Sequence, residues 1–434
     1  MTDSYDALVV GGGPGGASTA YHLATGGARV LLVEKAAFPR EKTCGDGLTP
    51  RGTAALDAMG LTEAYADWPR NVGLRCHGGG RSLELPWPEV TGEPSFGLTQ
   101  PRIDLDHLLI RQAEKAGAIV MTETDVLGPR IDDGVVVGAE LQREGEDPFD
   151  VRASYVIAAD GASSRIGQAL GHTRDSRRPV AVAIRGYYRT ERDEDPWLDS
   201  YLELWKGDEQ LGGYGWVFPI GDGTVNVGLG VLNTTGSINY KQMLADWAPT
   251  AGQDWGFTGD DLVAKPRSNP LPMGANRHPP LYRGVLFVGD AAGMINPFNG
   301  EGISYAMESA RFAAEFIIDA SARSSSNGTY DADAHLAGYA DYVRDQWGSH
   351  FTLGRAFAAL IGKPAVMKLA LRTGMPIPML MRFVVRLLAN LTDPSAKGFD
   401  DRAIRVLESL VPATSNTQSA SNQRYPQQKV RVNP

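Results

Sequence analysis

The stretch from Tyr5 to Lys35, YDALVVGGGPGGASTAYHLATGGARVLLVEK, constrains the fold more than any other part of the 434-residue chain. An apolar strand runs into Gly11, Gly13 and Gly16 at GxGxxG spacing, a helix follows, and a second apolar strand ends at Glu34. Missing side chains at the three glycines permit a tight turn, close approach of the backbone to a pyrophosphate and close packing of helix on strand. The helix start offers unpaired N–H groups and the positive end of its dipole to phosphate. Glu34 is placed to accept hydrogen bonds from an adenosine ribose. Pro14, Gly15 and Lys35 lie in the same turn and strand end and complete this cofactor-binding set. Such a βαβ unit implies a parallel sheet covered by helices. By itself it does not separate FAD from NAD.

The rest of the chain reads as α/β. A helix from Arg102 to Gly117 is followed by strand-like AIVMTETDV, GVVVGAEL and ASYVIAAD, which continue the nucleotide-binding unit. From Val180 to Leu232 the texture changes to closely spaced strands, VAVAIRGYYR, YLELW, GYGWVFPI and TVNVGLGVL, which suggest a separate antiparallel sheet. A buried strand, GVLFVGDAAG, and a helix from Gly302 then return to the first unit. The expected organisation is a Rossmann-type FAD-binding domain over 1–75, 95–178 and 270–325, and an antiparallel-sheet substrate domain over 76–94 and 179–269. A helical C-terminal region over 326–412 and a disordered polar tail over 413–434 complete it.

Composition removes several function classes. A net charge of −9 leaves no electrostatic footprint for nucleic acid. The N-terminus lacks the basic start and apolar run of a signal peptide. Apolar runs are interrupted before the roughly 18 residues that a bilayer span needs. The chain is therefore expected in the cytoplasm, with docking on the inner face of the cell membrane as the alternative placement. Cys44 and Cys76 are too far apart for a CxxC pattern, and the seven histidines show no ligand spacing, so no metal is expected.

Two later motifs, DGASSR (Asp160 to Arg165) and GDAAGMINPFNGEG (Gly289 to Gly302), resemble those of the flavin hydroxylase superfamily typified by p-hydroxybenzoate hydroxylase. The resemblance implies FAD. It places Asp160, Gly161, Gly289 and Asp290 at the cofactor, with Asp290 on the ribityl or ribose hydroxyls, and it makes Arg102 a further contact. The turn containing Pro297, Gly300, Gly302 and Ile303 would open a helix aimed at the flavin ring. Its N–H groups and dipole would favour negative charge on the reduced ring.

FPREKTCGDGLTPRG (Phe38 to Gly52) and YGWVFP with the later GLG (Tyr214 to Gly230) are similar to the geranylgeranyl reductase family of prenyl-chain reductases. The whole string is most similar to actinobacterial members, which include reductases of the menaquinone tail. The resemblance makes Tyr214, Trp216, Phe218, Pro219, Gly228 and Gly230 a substrate pocket; the alternation also puts the three rings on one face of a strand. The competing reading is that these rings fill core. Cys44, Gly45 and Asp46 become the candidate catalytic loop beside the flavin, and a small buried hydrophobe is the alternative role of Cys44. Asp46 stands where some archaeal members have glycine, so no role carries over to it.

From Arg355 to Thr392 the chain has Arg355, Lys363, Lys368, Arg372, Arg382 and Arg386 but no acidic residue. Helices of this composition either lie on an anionic membrane or pack on the core with their charges solvated. The expected reaction is hydride transfer from reduced FAD to a double bond of a polyprenyl chain such as the menaquinone tail. No second dinucleotide fingerprint is present, so NAD(P)H, a ferredoxin and a quinol-linked donor stay open as the electron source. The competing functions are a flavin monooxygenase acting on an aromatic substrate and a non-catalytic prenyl-binding escort.

Overall fold

The computed structural model describes residues 4–175, 178–206, 209–232, 238–278, 283–326, 332–393 and 398–414. The tail expected to be disordered lies outside them from residue 415 onward. The chain opens with β1 (Ser4–Val10), α1 (Pro14–Thr25) and β2 (Val30–Val33). Ala17, Ala20 and Leu23 recur at helical spacing and form the buried stripe of α1. Next come α2 (Pro50–Asp57), the hairpin β3 (Gly73–Gly78) and β4 (Arg81–Pro86), and α3 (Arg102–Lys115). Four strands follow: β5 (Ile119–Met121), β6 (Thr124–Asp132), β7 (Val135–Arg143) and β8 (Phe149–Ala158). The segment AIVMTETDV, read as one strand, divides between β5 and β6 at Glu123, whose φ of 53° leaves extended backbone.

The second unit contains β9 (Val180–Arg189), β10 (Trp197–Tyr201), β11 (Gly213–Pro219), β12 (Thr224–Leu232), α4 (Tyr240–Trp255) and β13 (Arg267–Pro272). The chain then returns through β14 (Val285–Phe287) to the long helices α5 (Ile303–Ser326) and α6 (Ala332–Ile361). It ends in α7 (Pro364–Gly374), α8 (Pro378–Leu388) and α9 (Phe399–Ser409).

The first sheet has the order β5-β2-β1-β8-β7-β6, with β14 also on β8. β5, β2, β1, β8 and β14 run parallel, as the βαβ opening requires. β7 and β6 are antiparallel, because Asp133 and Gly134 (φ 47° and 75°) make the tight turn that a hairpin needs. The helices α1, α3 and α5 cover this sheet, and fully buried Leu8, Leu31, Leu32, Leu105 and Leu109 sit in its core. Each such side chain contributes about 1.5–3 kcal/mol.

The second sheet has the order β13-β9-β12-β11-β10-β3-β4. Its neighbours are antiparallel except β10 and β3, which are parallel because β3 enters from a distant part of the chain. On one face Leu244, Ala248, Ala251 and Trp255 of α4 pack against Ile184, Val225, Val227 and Leu229. Near the β3–β4 end, Cys76, Leu85 and Leu198 meet Met367, Leu371, Met381 and Val385 of α7 and α8. A cavity of about 1220 Å³ runs from the glycine turn of the first sheet to this layer.

Candidate active site

At the glycine turn, Gly11 has φ 102°, and a Cβ there would lie 2.5 Å from the Ala159 carbonyl oxygen. A Cβ on Gly16 would lie 1.7 Å from the Gly11 carbonyl oxygen. Gly11, Gly13, Pro14 and Gly15 line the cavity, whereas Gly16 acts behind it by letting α1 close on β1. Glu34 lines the cavity and accepts from the N–H groups of Gly12 at 2.8 Å and Ala36 at 3.1 Å. Arg40 lies 3.5 Å from Glu34 and 3.1 Å from the buried Asp106. Arg102 holds the same Asp106 through two bonds of 2.6 and 2.7 Å.

Lys35, Arg102, Asp160, Gly161, Gly289, Asp290, Pro297, Gly300, Gly302 and Ile303 also line the cavity. Burial pushes the Asp290 carboxyl up, against the pull of Lys42, Arg102 and Arg277. Burial pushes the Lys42 ammonium down, with Asp290 opposing. Arg40 Nε and Asp160 Oδ1 are buried without a hydrogen-bond partner among the described residues. Both residues line the cavity, so the cleft presents a polar ligand with groups in want of partners. The residues present fit FAD: Gly11 to Gly15 and the start of α1 would hold its pyrophosphate, Glu34 its adenosine ribose, and Asp290 its ribityl hydroxyls.

Cys44 and Gly45 face the cavity, but Asp46 does not. Asp46 has φ 64° and no exposure, and its Oδ2 accepts from the Tyr187 hydroxyl at 2.5 Å and from Asn226 Nδ2 at 2.7 Å. Asn226 is fully buried; it also donates to the Cys44 carbonyl at 2.8 Å and accepts from Trp216 Nε1 at 2.9 Å. One amide thus fixes the cysteine loop and the aromatic wall in one arrangement. A lone Asn in a strand carries no motif, so only the fold reveals this role. Burial and the neighbouring Asp46 push the Cys44 thiol up, opposed by Arg102. Cys44 is therefore a thiol rather than a thiolate at neutral pH.

Burial raises the Asp46 carboxyl to about 6, although Tyr187 and Asn226 pull it down. A carboxyl raised above its unfolded value stabilises the fold while protonated, and that contribution disappears as pH rises through about 6. Asn at this position keeps an acceptor for both partners, tolerates left-handed backbone and does not titrate. Relative to Asp46→Asn, the native chain is expected to lose about 1–2 kcal/mol of unfolding free energy between about pH 5 and about pH 8. Denaturant unfolding at the two pH values checks this; an unchanged difference contradicts it.

Tyr214, Trp216 and Phe218 project from one face of β11, with ring centroids 6.0 and 6.2 Å apart. All three line the cavity with Gly230, while Pro219 and Gly228 do not. Gly228 serves the wall indirectly, because a Cβ there would lie 2.2 Å from the Trp216 ring. Tyr214 donates its hydroxyl to the Asn299 carbonyl at 2.6 Å and so ties the wall to the Pro297–Gly302 turn. That turn is held by its own asparagines: Asn296 Oδ1 accepts from Phe298 N and Asn299 Oδ1 from Glu301 N, each at 3.0 Å. Leu198 on β10 extends the wall beside Phe218, and the α7 and α8 residues Met367, Leu371, Met381 and Val385 line the same cavity. Arg40, Lys42, Thr49 and Glu301 are further lining residues absent from the sequence-based set.

A glycine-cradled dinucleotide cleft opening onto an apolar chamber, together with a match to an FAD binding domain and to reductases, makes the chain an FAD-dependent oxidoreductase. The chain matches the FAD binding domain family over residues 4–213 and the geranylgeranyl reductase catalytic domain over residues 181–255. It is 35% identical to the menaquinone reductase of Mycobacterium tuberculosis strain H37Rv, over 90% of this chain and 92% of that one. It is 32% identical to the digeranylgeranylglycerophospholipid reductase of Thermoplasma volcanium, over 73% of this chain and 79% of that one. A geranylgeranyl bacteriochlorophyll reductase-like structure from Thermoplasma acidophilum superposes with a TM-score of 0.72 at 24% identity, over 95% of this chain and 100% of that one. A myxobacterial chondrochloren halogenase gives 0.70 at 22% identity, over 96% of this chain and 100% of that one, so the fold alone does not select a reaction. The chain belongs to the geranylgeranyl reductase family.

Proposed function

We propose that this protein saturates a C=C bond of a polyprenyl chain, namely the isoprenoid tail of menaquinone. The observation that carries the proposal is the composition of the cavity along its length. It is lined by glycine backbone and charged groups from Gly11 to Asp290, and by aromatic and aliphatic side chains from Tyr214 to Val385. A quinone ring alone needs no such apolar depth, whereas an isoprenoid tail does. The names of the mycobacterial and archaeal relatives support the same substrate class. FAD, when bound, supplies the hydride. The chain's own residues align the alkene and exclude water, which an isolated double bond requires because it is a poor hydride acceptor. The Cys44 thiol, kept protonated at the cavity wall, is the proposed proton source for the second carbon. Anaerobic incubation of the reduced holoenzyme with an unsaturated menaquinone is expected to add two hydrogens to the tail. Change confined to the quinone head contradicts the proposal.

The electron donor is proposed to bind transiently, as NAD(P)H, a ferredoxin or a quinol-linked protein. We further propose that the protein works at the inner face of the cell membrane. No helix among the described residues is long and apolar enough to cross a bilayer. The turn between α7 and α8 and the first turn of α8 leave Ile377 50% exposed and Met379 76% exposed, while Met375 and Leu380 beside them line the cavity. Lys368, Arg372 and Arg382 flank this apolar tip, an arrangement suited to an anionic interface. Met379→Glu is expected to reduce co-sedimentation with anionic vesicles about tenfold without loss of FAD, since a buried Met side chain is worth about 1.5–3 kcal/mol. Equal sedimentation of both proteins contradicts the docking.

A further inference from the structure

Glu301 lies in the turn just before α5, where the flavin ring is expected, and it lines the cavity. Its Oε1 accepts from the hydroxyls of Thr49 at 2.6 Å and Ser304 at 2.7 Å. Its Oε2 is buried without a hydrogen-bond partner among the described residues. A buried carboxylate oxygen left unpaired is costly, and a proton on it removes the charge and creates a donor.

The surrounding charges leave this group poised. Burial pushes its carboxyl up; Arg51, Thr49 and Ser304 pull it down, and Glu308 pushes it up again. The Arg51 guanidinium is shared, because it is paired with Glu308 at 2.6 Å and lies over the Tyr305 ring at 4.3 Å. The Tyr214 and Tyr305 hydroxyls also interact with Glu301, and burial keeps both neutral. The start of α5 favours negative charge at the same place. Two negative charges, a carboxylate and a reduced flavin ring, would then compete for one helix start.

We propose that Glu301 takes up a proton when the bound FAD is reduced, and that its Oε2–H then donates to the pyrimidine edge of the flavin. In balance, FAD gains two electrons and one proton at N5, and the Glu301 carboxylate gains one further proton from solvent. The two electrons come from an external low-potential reductant, dithionite in the experiment below. By linkage the effect is reciprocal: a proton on Glu301 makes the flavin easier to reduce. The proposal needs only FAD in the cleft, and it stands whether or not a prenyl chain is the substrate.

The test is the midpoint potential of FAD in the purified holoenzyme, measured against pH with dithionite and a mediator dye. The native protein is expected to show a window in which the slope doubles, from one proton to two per electron pair. Glu301→Gln keeps a hydrogen-bond donor but cannot titrate, and the doubled window is expected to vanish. A window that survives in Glu301→Gln belongs to the flavin ring itself and overturns the proposal, as do parallel lines with no window. Should Glu301→Gln not retain FAD, Thr49→Val gives the second reading. Loss of one donor to the carboxylate is expected to move the window to higher pH, and an unmoved window is the contrary result.

Discussion

Gly16→Ala is expected to purify without bound flavin. The new Cβ would lie 1.7 Å from the Gly11 carbonyl oxygen, and that atom is backbone, so no side-chain rotation relieves the clash. Either α1 moves away from β1 or the Gly11 peptide moves into the pyrophosphate site. Both remove the alignment of N–H groups on which phosphate binding depends. Overpacking of this kind costs about 1–3 kcal/mol or more, so a fall in thermal midpoint is expected as well. Gly128→Ala on β6 is the matched control, because that glycine lies outside the cavity and its Cβ would meet nothing within 4 Å. That variant is expected to keep FAD. Flavin absorbance of the two purified variants checks the pair, and equal occupancy contradicts the geometry.

Gly230→Leu is expected to keep FAD and lose prenyl reduction about 100-fold, the scale set by displacing a substrate by about an ångström. Gly230 pairs with Ala183 on β9 and Tyr214 on β11, and it lines the cavity between the aromatic rings. Its Cβ would have the Trp216 ring at 3.7 Å as nearest neighbour, an ordinary contact. The leucine therefore enters the space where the chain is to lie rather than straining the sheet. The same change at Gly228 would drive a Cβ to 2.2 Å from Trp216 and disturb the fold itself. Normal turnover in a folded, flavin-loaded Gly230→Leu would remove the wall from the substrate path.

What could be read in the chain beforehand divides along physical lines. The glycine turn with Glu34, and the alternation of Tyr214, Trp216 and Phe218, are local patterns whose spacing sets their geometry. Asp46 looked like a neighbour of Cys44 in the catalytic loop, yet its left-handed backbone turns it away from the cavity onto Tyr187 and Asn226. No spacing discloses that, because Tyr187 and Asn226 reach it from β9 and β12. The link from Thr49 to Glu301 spans 252 positions and is equally silent in sequence. The cationic stretch from Arg355 to Thr392 offered two readings, a membrane face and packing on the core, and its helices show the packing. Met367, Leu371, Met381 and Val385 turn inward to the cavity, while Arg386 pairs at 2.7 Å with Asp401, beyond the end of the stretch. Amphipathicity shows that a helix has an apolar face but not what that face meets.

The most direct test of prenyl reduction is a single anaerobic turnover in deuterated water, with dithionite-reduced holoenzyme and an unsaturated menaquinone, followed by fragment mass spectrometry. Deuterium on carbon within the isoprenoid tail, in a product heavier by one added pair of hydrogens or deuteriums, is the expected result. A tail of unchanged mass, with reduction found only at the quinone ring, would contradict it.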